Sequence, residues 1–414
     1  MVLEIKNVGL IESASIELNG ITVIAGHNNS GKSTISKSLY CIASSFCDTF
    51  NVIRKYRIDA ITRKSSHKFA EIFVEEREKY KNDIALISDF ILANQDLLVF
   101  GYRKALEEKD EDVEERINKL SKYIFNILSI SDEELILGIF TRKLEAEFDM
   151  QIHNVHSLAD LSGLRLKADG QEVIARIVQN KVNAISGMFD ITNSVIYIDD
   201  VNVLEKVNWH PLRMNYNTGY HIERGSHKNQ LAHLLGEDSS DESLIDEILA
   251  SKKLGKVFEL INEACPGRVD FEGGDMGLAY TEGKQGDKIS LANISTGIKS
   301  FATIKTLLLN GGIKEGGIMI FDEPEIHLHP QWQLVYAQMI VLLHKEFNIR
   351  VLINTHSPYF MMAIEDYSEM HEVLDKCKFY LAESNGKGAS FTDVTSCTND
   401  LYGKFHDPYK VLKT

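Results

Sequence analysis

A chain of 414 residues exceeds the roughly 250 residues at which single domains usually stop growing, so more than one module is expected. Its 44% hydrophobic and 25% charged content is ordinary for a globular protein, and no apolar run reaches the roughly 18 residues of a membrane span. A formal net charge of −15 argues against a surface built mainly to hold nucleic acid, and five cysteines without a C-x-x-C pair argue against a disulfide framework or zinc ribbon.

Met1 to Gly9 lacks the basic and apolar regions of a secretory signal, so the expected location is the cytoplasm. The short apolar runs Leu3 to Ile5, Ala14 to Leu18 and Ile21 to Ile24, broken by Gly9 and Asn19-Gly20, predict strands joined by tight turns. The third run leads into Gly26-His27-Asn28-Asn29-Ser30-Gly31-Lys32-Ser33-Thr34, a complete G-x-x-x-x-G-K-[ST] pattern. Glycines let the backbone curl so that its N–H groups and the following helix terminus surround phosphate oxygens. Lys32 adds positive charge at the β and γ positions, and Ser33 offers a hydroxyl to Mg2+. Ile35, Leu39, Ile42 and Phe46 then recur at helical spacing, so strand, loop and helix follow in the order that a site for ATP or GTP needs.

The six prolines all lie at or beyond Pro211, which permits uninterrupted helix before it. From Asn51 to Phe140 the chain is rich in Glu, Lys, Leu and Ile. Phe69, Ile72, Phe73, Ile117, Leu120 and Ile124 keep helix-like spacing, and a helical insertion is expected. The charge-dense Arg103 to Arg116 reads as solvated helix face or loop. Leu164-Arg-Leu-Lys, Asp169-Gly170 and Val173 to Val178 then alternate like a hairpin, and Ser194 to Ile198 is a compact β-branched run. Asn202 to Ser251 reads as loop with small helices, and Leu254 to Ala264 as a helix ended by Pro266-Gly267.

Asn293 to Ser300 contains Ser295-Thr296-Gly297-Ile298-Lys299, followed by Phe301, Ile304 and Leu308 at helical spacing. Ser-x-Gly opening a helix makes a second anion site, although an ordinary helix cap explains it equally well. Ile318 to Phe321 is wholly apolar and ends in Asp322-Glu323-Pro324, as expected of a buried parallel strand carrying two carboxylates to its C-terminal edge. There Asp322 would hold Mg2+, and Glu323 would act as general base on the attacking water. Val351-Leu352-Ile353 leads to Asn354-Thr355-His356, whose imidazole could donate a hydrogen bond to charge developing on a γ-phosphate. His327 and His329 fit interface or supporting roles better than metal binding, and His153 and His156 read as structural.

In this order the P-loop, Ser295 to Lys299, Ile320-Phe321-Asp322-Glu323-Pro324 and His356 resemble the ABC-type ATPase heads of SMC, RecF and OLD proteins. The long interval between P-loop and signature is most similar to that of AAA-15 or OLD-like ATPases from bacterial anti-phage systems, including the Septu ATPase and retron-associated ATPases. The resemblance spans essentially the whole chain. It implies an α/β fold: an ABC-type P-loop ATPase head with a β-rich subdomain and an inserted helical arm or lid. Residues 1–50 and 144–414 would form the head, and 51–143 the insertion. It further implies hydrolysis of ATP with Mg2+ by a homodimer or higher oligomer. Lys32, Ser33, Asp322, Glu323 and His356 would act in cis, and Ser295, Gly297 and Lys299 on the nucleotide of the opposing subunit.

The signature departs from the Leu-Ser-Gly-Gly-Gln of transporters, which favours the SMC-like branch. Glu383, Asp393 and Asp400 do not form the acidic signature of the Toprim nuclease carried by OLD proteins, so no nuclease is expected in cis. The partner implied is a protein effector, a nuclease or toxin, encoded nearby. The competing reading is a RecF-like or SMC-like DNA-binding protein of repair, which the acidic balance does not support.

Overall fold

The computed structural model describes residues 1–72, 119, 122–159, 161–187, 194–206, 226–236, 254–272, 277–282, 287–384, 386 and 388–398. The chain divides into two compact units, Met1–Cys47 with Phe140–Thr414, and Asp48–Ile139. In the first, β1 (Val2–Val8) and β2 (Ile11–Glu17) pair antiparallel around Gly9 and Leu10, and β3 (Ile21–Gly26) follows. Every residue of β3 is buried, because this strand is covered on both faces. Helix α1 (Lys32–Ser45) then buries Ile35, Leu39 and Ile42, with Phe46 buried at its end.

The second unit contains α2 (Thr49–Ile72) and the start of α3 (Asp132–Phe148). Arg57 of α2 pairs with Asp132 at 2.8 Å and donates to the Ile130 carbonyl at 2.8 Å. A reciprocal cap opens α3: the Glu134 N–H donates to Ser131 Oγ at 3.2 Å, and the Ser131 N–H donates to Glu134 Oε2 at 3.1 Å. Asp132, Glu133 and Glu134 in the first turn complement the helix dipole. Arg103 to Arg116, with Phe73, Ile117 and Leu120, lies outside the described residues.

Back in the larger unit, β4 (Leu161–Ala168), β5 (Gln171–Val178) and β6 (Lys181–Ser186) form an antiparallel meander. Asp169-Gly170 at φ 49° and 79°, and Gln179-Asn180 at φ 47° and 66°, give its two tight turns the left-handed backbone that matches strand twist. Because β4 pairs with β1, the β-rich return extends the main sheet. Next come β7 (Val195–Ile198), α4 (Val203–Lys206), α5 (His227–Gly236) and α6 (Gly255–Ala264). A separate antiparallel sheet of β8 (Arg268–Glu272), β9 (Gly277–Glu282) and β10 (Asp287–Ser290) answers to no element read in the sequence. The chain closes with α7 (Thr296–Leu309), β11 (Ile318–Asp322), α8 (Pro330–Phe347), β12 (Arg350–Thr355), α9 (Pro358–Met370), β13 (Lys378–Ser384) and β14 (Ala389–Asp393).

Among the described residues the main sheet runs β6-β5-β4-β1-β2-β14-β13-β3-β12-β11-β7. From β13 to β7 every neighbouring pair is parallel. β3 therefore lies between β13 and β12, strands that come from the far end of the sequence. Tyr336 of α8 packs edge-on against Phe301 of α7 at 5.2 Å and Phe321 of β11 at 6.2 Å, fastening the signature helix to the strand of the acidic pair. No described helix is long and apolar enough to cross a membrane.

Candidate functional site

Three neighbouring parallel strands end at one sheet edge: β3 in the P-loop, β12 in His356, and β11 in Asp322 and Glu323. A strand on each side of β12 thus supplies half of the site. Gly26 ends β3 where a Cβ would sit 2.3 Å from the Ala382 carbonyl oxygen of β13, so no larger residue fits. Gly31, at φ 83°, caps α1 in the left-handed region, and Asn29 sits there too at φ 60°. His27, Asn28 and Asn29 form the exposed crest of the loop, while Ser30 is buried and donates to the His27 carbonyl at 2.7 Å. Ser33 is exposed and Thr34 half-buried at the start of α1, whose first turn carries no acidic residue.

Lys32 is buried, and its Nζ donates to the carbonyls of Gly26 at 2.9 Å and His27 at 2.8 Å. Burial lowers the pKa of this amine, partly offset by the charges of Glu323, Asp322 and Glu325. His356 Nδ1 lies 2.6 Å from the Gly26 oxygen, which can only accept, so Nδ1 carries a hydrogen. Nε2 is thereby directed at the Glu323 carboxylate, which it contacts closely. Glu323 itself stands at φ 54°, a left-handed conformation that strains a non-glycine residue by about 1 to 3 kcal/mol. Its N–H donates to the Asn354 carbonyl at 2.9 Å, which holds the strained turn against β12.

Asp322 is fixed at both oxygens: Asn354 Nδ2 donates to Oδ1 at 2.9 Å and the Tyr197 hydroxyl donates to Oδ2 at 3.0 Å. The same Asn354 Nδ2 donates to Ser36 Oγ of α1 at 2.8 Å, tying the P-loop helix to the acidic strand end. Glu325, 4% exposed, accepts from the Thr355 hydroxyl and from the N–H groups of His356 at 3.0 Å and Ser357 at 3.2 Å. Burial raises its carboxyl pKa against the opposing pull of those hydrogen bonds. Glu325, Asn354 and Tyr197 are supports that motif reading passes over. The one signal available is polar side chains at the ends of otherwise apolar runs.

Ser295, Thr296 and Gly297 lie elsewhere, with His327, His329 and Trp332 around an open cavity of about 430 Å³. Ser295 caps α7, its Oγ accepting from the Ile298 N–H at 3.3 Å. A Cβ on Gly297 would come within 3.3 Å of both the His327 carbonyl and the Trp332 ring, so the signature turn packs tightly on the segment after Glu323. The Lys299 side chain is 5% exposed, and its amine is engaged by Glu205 of the same chain. His153 donates or accepts at Ser162 Oγ (2.6 Å), a structural contact.

The donor set suits magnesium triphosphate. Among the described residues no cluster of three or more His, Cys, Asp or Glu forms a metal cage. Mg2+ prefers one or two hard protein oxygens, which the Ser33 hydroxyl and the Asp322 carboxylate would supply.

The family profile for AAA ATPase domains, AAA-15, matches residues 1–361. The chain belongs to this AAA ATPase family. Its motifs, in the order found, make this AAA-15 member an ABC-type ATPase. A retron Vc95 probable ATPase of Vibrio cholerae serotype O1 biovar El Tor is 31% identical over 130 residues, covering 28% of this chain and 25% of that relative. The match thus spans about a quarter of the relative's length. The SMC head domain from Thermotoga maritima aligns with 95% of this chain and 98% of its own at 10% identity and a TM-score of 0.42. An SMC head bound to the C-terminal winged-helix domain of ScpA aligns with 95% and 96% at 12% identity and a TM-score of 0.46.

Proposed function

We propose that this AAA-15 ATPase binds Mg2+-ATP across the β3, β12 and β11 edge, and that two copies close over the nucleotides to control an effector protein of an anti-phage system. The observation that carries the reading is the continuous chain of contacts from Lys32 through Gly26 and His356 to Glu323. Lys32 and the loop N–H groups would hold the phosphates, and Ser33 and Asp322 would hold the metal, which when bound would supply positive charge beside the phosphate oxygens. Glu323 accepts the proton of the attacking water, and His356, fixed by Gly26 and by the Glu325 clamp, orients that carboxylate through Nε2. Ser295 and Gly297 at the open cavity face the nucleotide of the neighbouring copy. The defence role draws on the retron relative, and the acidic charge weighs against stand-alone DNA binding.

Glu323→Gln tests the chemistry. It is expected to bind a fluorescent ATP analogue like the parent, to turn over about a hundred- to ten-thousandfold more slowly, as for loss of a general base, and to remain dimeric by light scattering in ATP. Parental turnover would remove Glu323 from the mechanism. For the role, cells carrying the gene with its neighbours are expected to lose phage protection on Lys32→Ala. A salt-dependent DNA shift by the purified protein with ATP would favour the repair reading instead.

A further inference from the structure

Behind Asp322 lies a buried polar assembly that the hydrolytic scheme does not use. Tyr197 of β7, 2% exposed, donates its hydroxyl to Asp322 Oδ2 at 3.0 Å. Its ring stacks on the imidazole of His227, with centroids 4.0 Å apart and planes 26° from parallel. His227 begins α5, is 4% exposed, and is gripped from both sides. Nδ1 lies 2.8 Å from both carboxylate oxygens of Glu147, at the end of α3, and Nε2 makes a 2.9 Å ion-pair contact, poorly aligned as a hydrogen bond, with Asp199 Oδ1. Glu147 also accepts the His227 backbone N–H at 2.7 Å.

A core position needs none of this. Desolvating a histidine and two carboxylates opposes folding, and an apolar side chain of similar volume would often be at least as stable. What the polar arrangement provides is a unique orientation of one aromatic ring, since an imidazole held at both nitrogens cannot turn and a ring stacked on it has a fixed plane. The Tyr197 hydroxyl is aimed as a result. With Asn354 on Oδ1, it forms a two-point clamp, and rotation of the Asp322 carboxylate would break both hydrogen bonds.

We infer that Tyr197 is a positioning residue for Asp322, and that His227, held between Glu147 and Asp199, is the support that fixes it. The inference rests on the assignment of Asp322 to the metal made above. Hydrogen-bond partners of metal ligands set ligand orientation, and their removal typically weakens metal binding by about ten- to a hundredfold.

The test is Mn2+ affinity of the full chain saturated with a non-hydrolysable ATP analogue, read from the free-Mn2+ electron paramagnetic resonance signal. Tyr197→Phe keeps the ring and its stacking and removes only the hydroxyl. It is expected to weaken Mn2+ binding about tenfold or more, with analogue affinity in EDTA and melting temperature unchanged. His227→Gln should weaken Mn2+ binding to a similar extent, with analogue affinity in EDTA unchanged, and the double variant should be no weaker than Tyr197→Phe alone, because His227 acts through Tyr197. Parental Mn2+ affinity in Tyr197→Phe overturns the inference, and additive losses in the double variant overturn the part given to His227. Asp322→Asn is the reference: it must lose Mn2+ more severely than either. Should Asp322→Asn keep parental affinity, the metal assignment itself is wrong and the inference falls with it.

Discussion

The two halves of the main sheet use the same backbone in opposite ways. β3, β7, β11 and β12 are buried along nearly their whole length, and β3, β11 and β12 deliver the site residues at their C-terminal ends. In the meander, β4 and β5 alternate buried with more exposed positions and β6 has none buried, and it carries charge pairs such as Arg165 with Glu4 and Glu172 in place of chemistry. The lesson is positional. Parallel strands place all their carboxyl ends on one side, so loops far apart in sequence meet there, whereas an antiparallel meander returns every loop to alternate ends.

Four measurements can break or sharpen this contrast. Lys32→Ala at the parallel edge is expected to weaken ATP binding by about a hundredfold or more, as when a desolvated charge partner is removed, while Arg165→Ala in the meander leaves it unchanged. Titration of a fluorescent ATP analogue decides, and equal effects would erase the distinction. Next, Ile320→Ala in buried β11 should cost about 2 to 5 kcal/mol in urea denaturation, and Val182→Ala on half-buried β6 about 1 kcal/mol or less. Comparable costs would mean that the meander shares fully in the core.

Glu325→Gln keeps shape but removes the charge that accepts the Thr355, His356 and Ser357 donors. Steady-state kinetics should show turnover about tenfold slower at unchanged KM for ATP, the worth of one charge-assisted hydrogen bond. A change in KM alone would detach Glu325 from the His356 loop. The smallest effect is a pH tilt. Burial lowers the His227 pKa, but the contacts with the Asp199 and Glu147 carboxylates outweigh it and raise the value above 6.5. Its contribution to stability is complete below the ordinary value and is lost as pH rises through the raised one. Asp199, held by His227 and Lys228 below its ordinary 3.8 despite burial, loses its own contribution only as pH falls through that lowered value. The melting-temperature gap between parent and His227→Gln should therefore narrow as pH climbs above the ordinary histidine range, with Glu147, Asp199 and Lys228 as the other charges at the site. A gap that widens would contradict the sign.

What could be read from the sequence is what is written contiguously. The nest from Gly26 to Thr34 needs its glycines and lysine at fixed spacing, and β11 needs an unbroken apolar run because both of its faces are covered. The hairpin at Asp169-Gly170 was equally legible, since its left-handed turn demands such residues. The supports of the site were not. Tyr197, Glu147 and His227 meet Asp322 only through tertiary packing, and nothing in the sequence around His227 distinguishes it from a surface histidine. The pairing of Lys299 with Glu205 was out of reach for the same reason, because Glu205 lies in another helix. The strands β8 to β10 are short, polar and separated by glycine and aspartate, so their pattern reads as loop.

One further consequence concerns biosynthesis. β3 has β12 and β13 as its neighbours, and 330 positions separate Gly26 from His356, the residues joined by the 2.6 Å contact. At about 5 to 20 residues per second, a ribosome takes roughly 16 to 66 s to make that interval. Throughout it the P-loop strand, largely apolar, has emerged without either of its flanking strands, and such distant pairing is intrinsically slow to form. The nascent polypeptide thus carries an unpaired ribbon until β12 and β13 have been made, and anything that shields that ribbon in the meantime favours assembly of this ATPase.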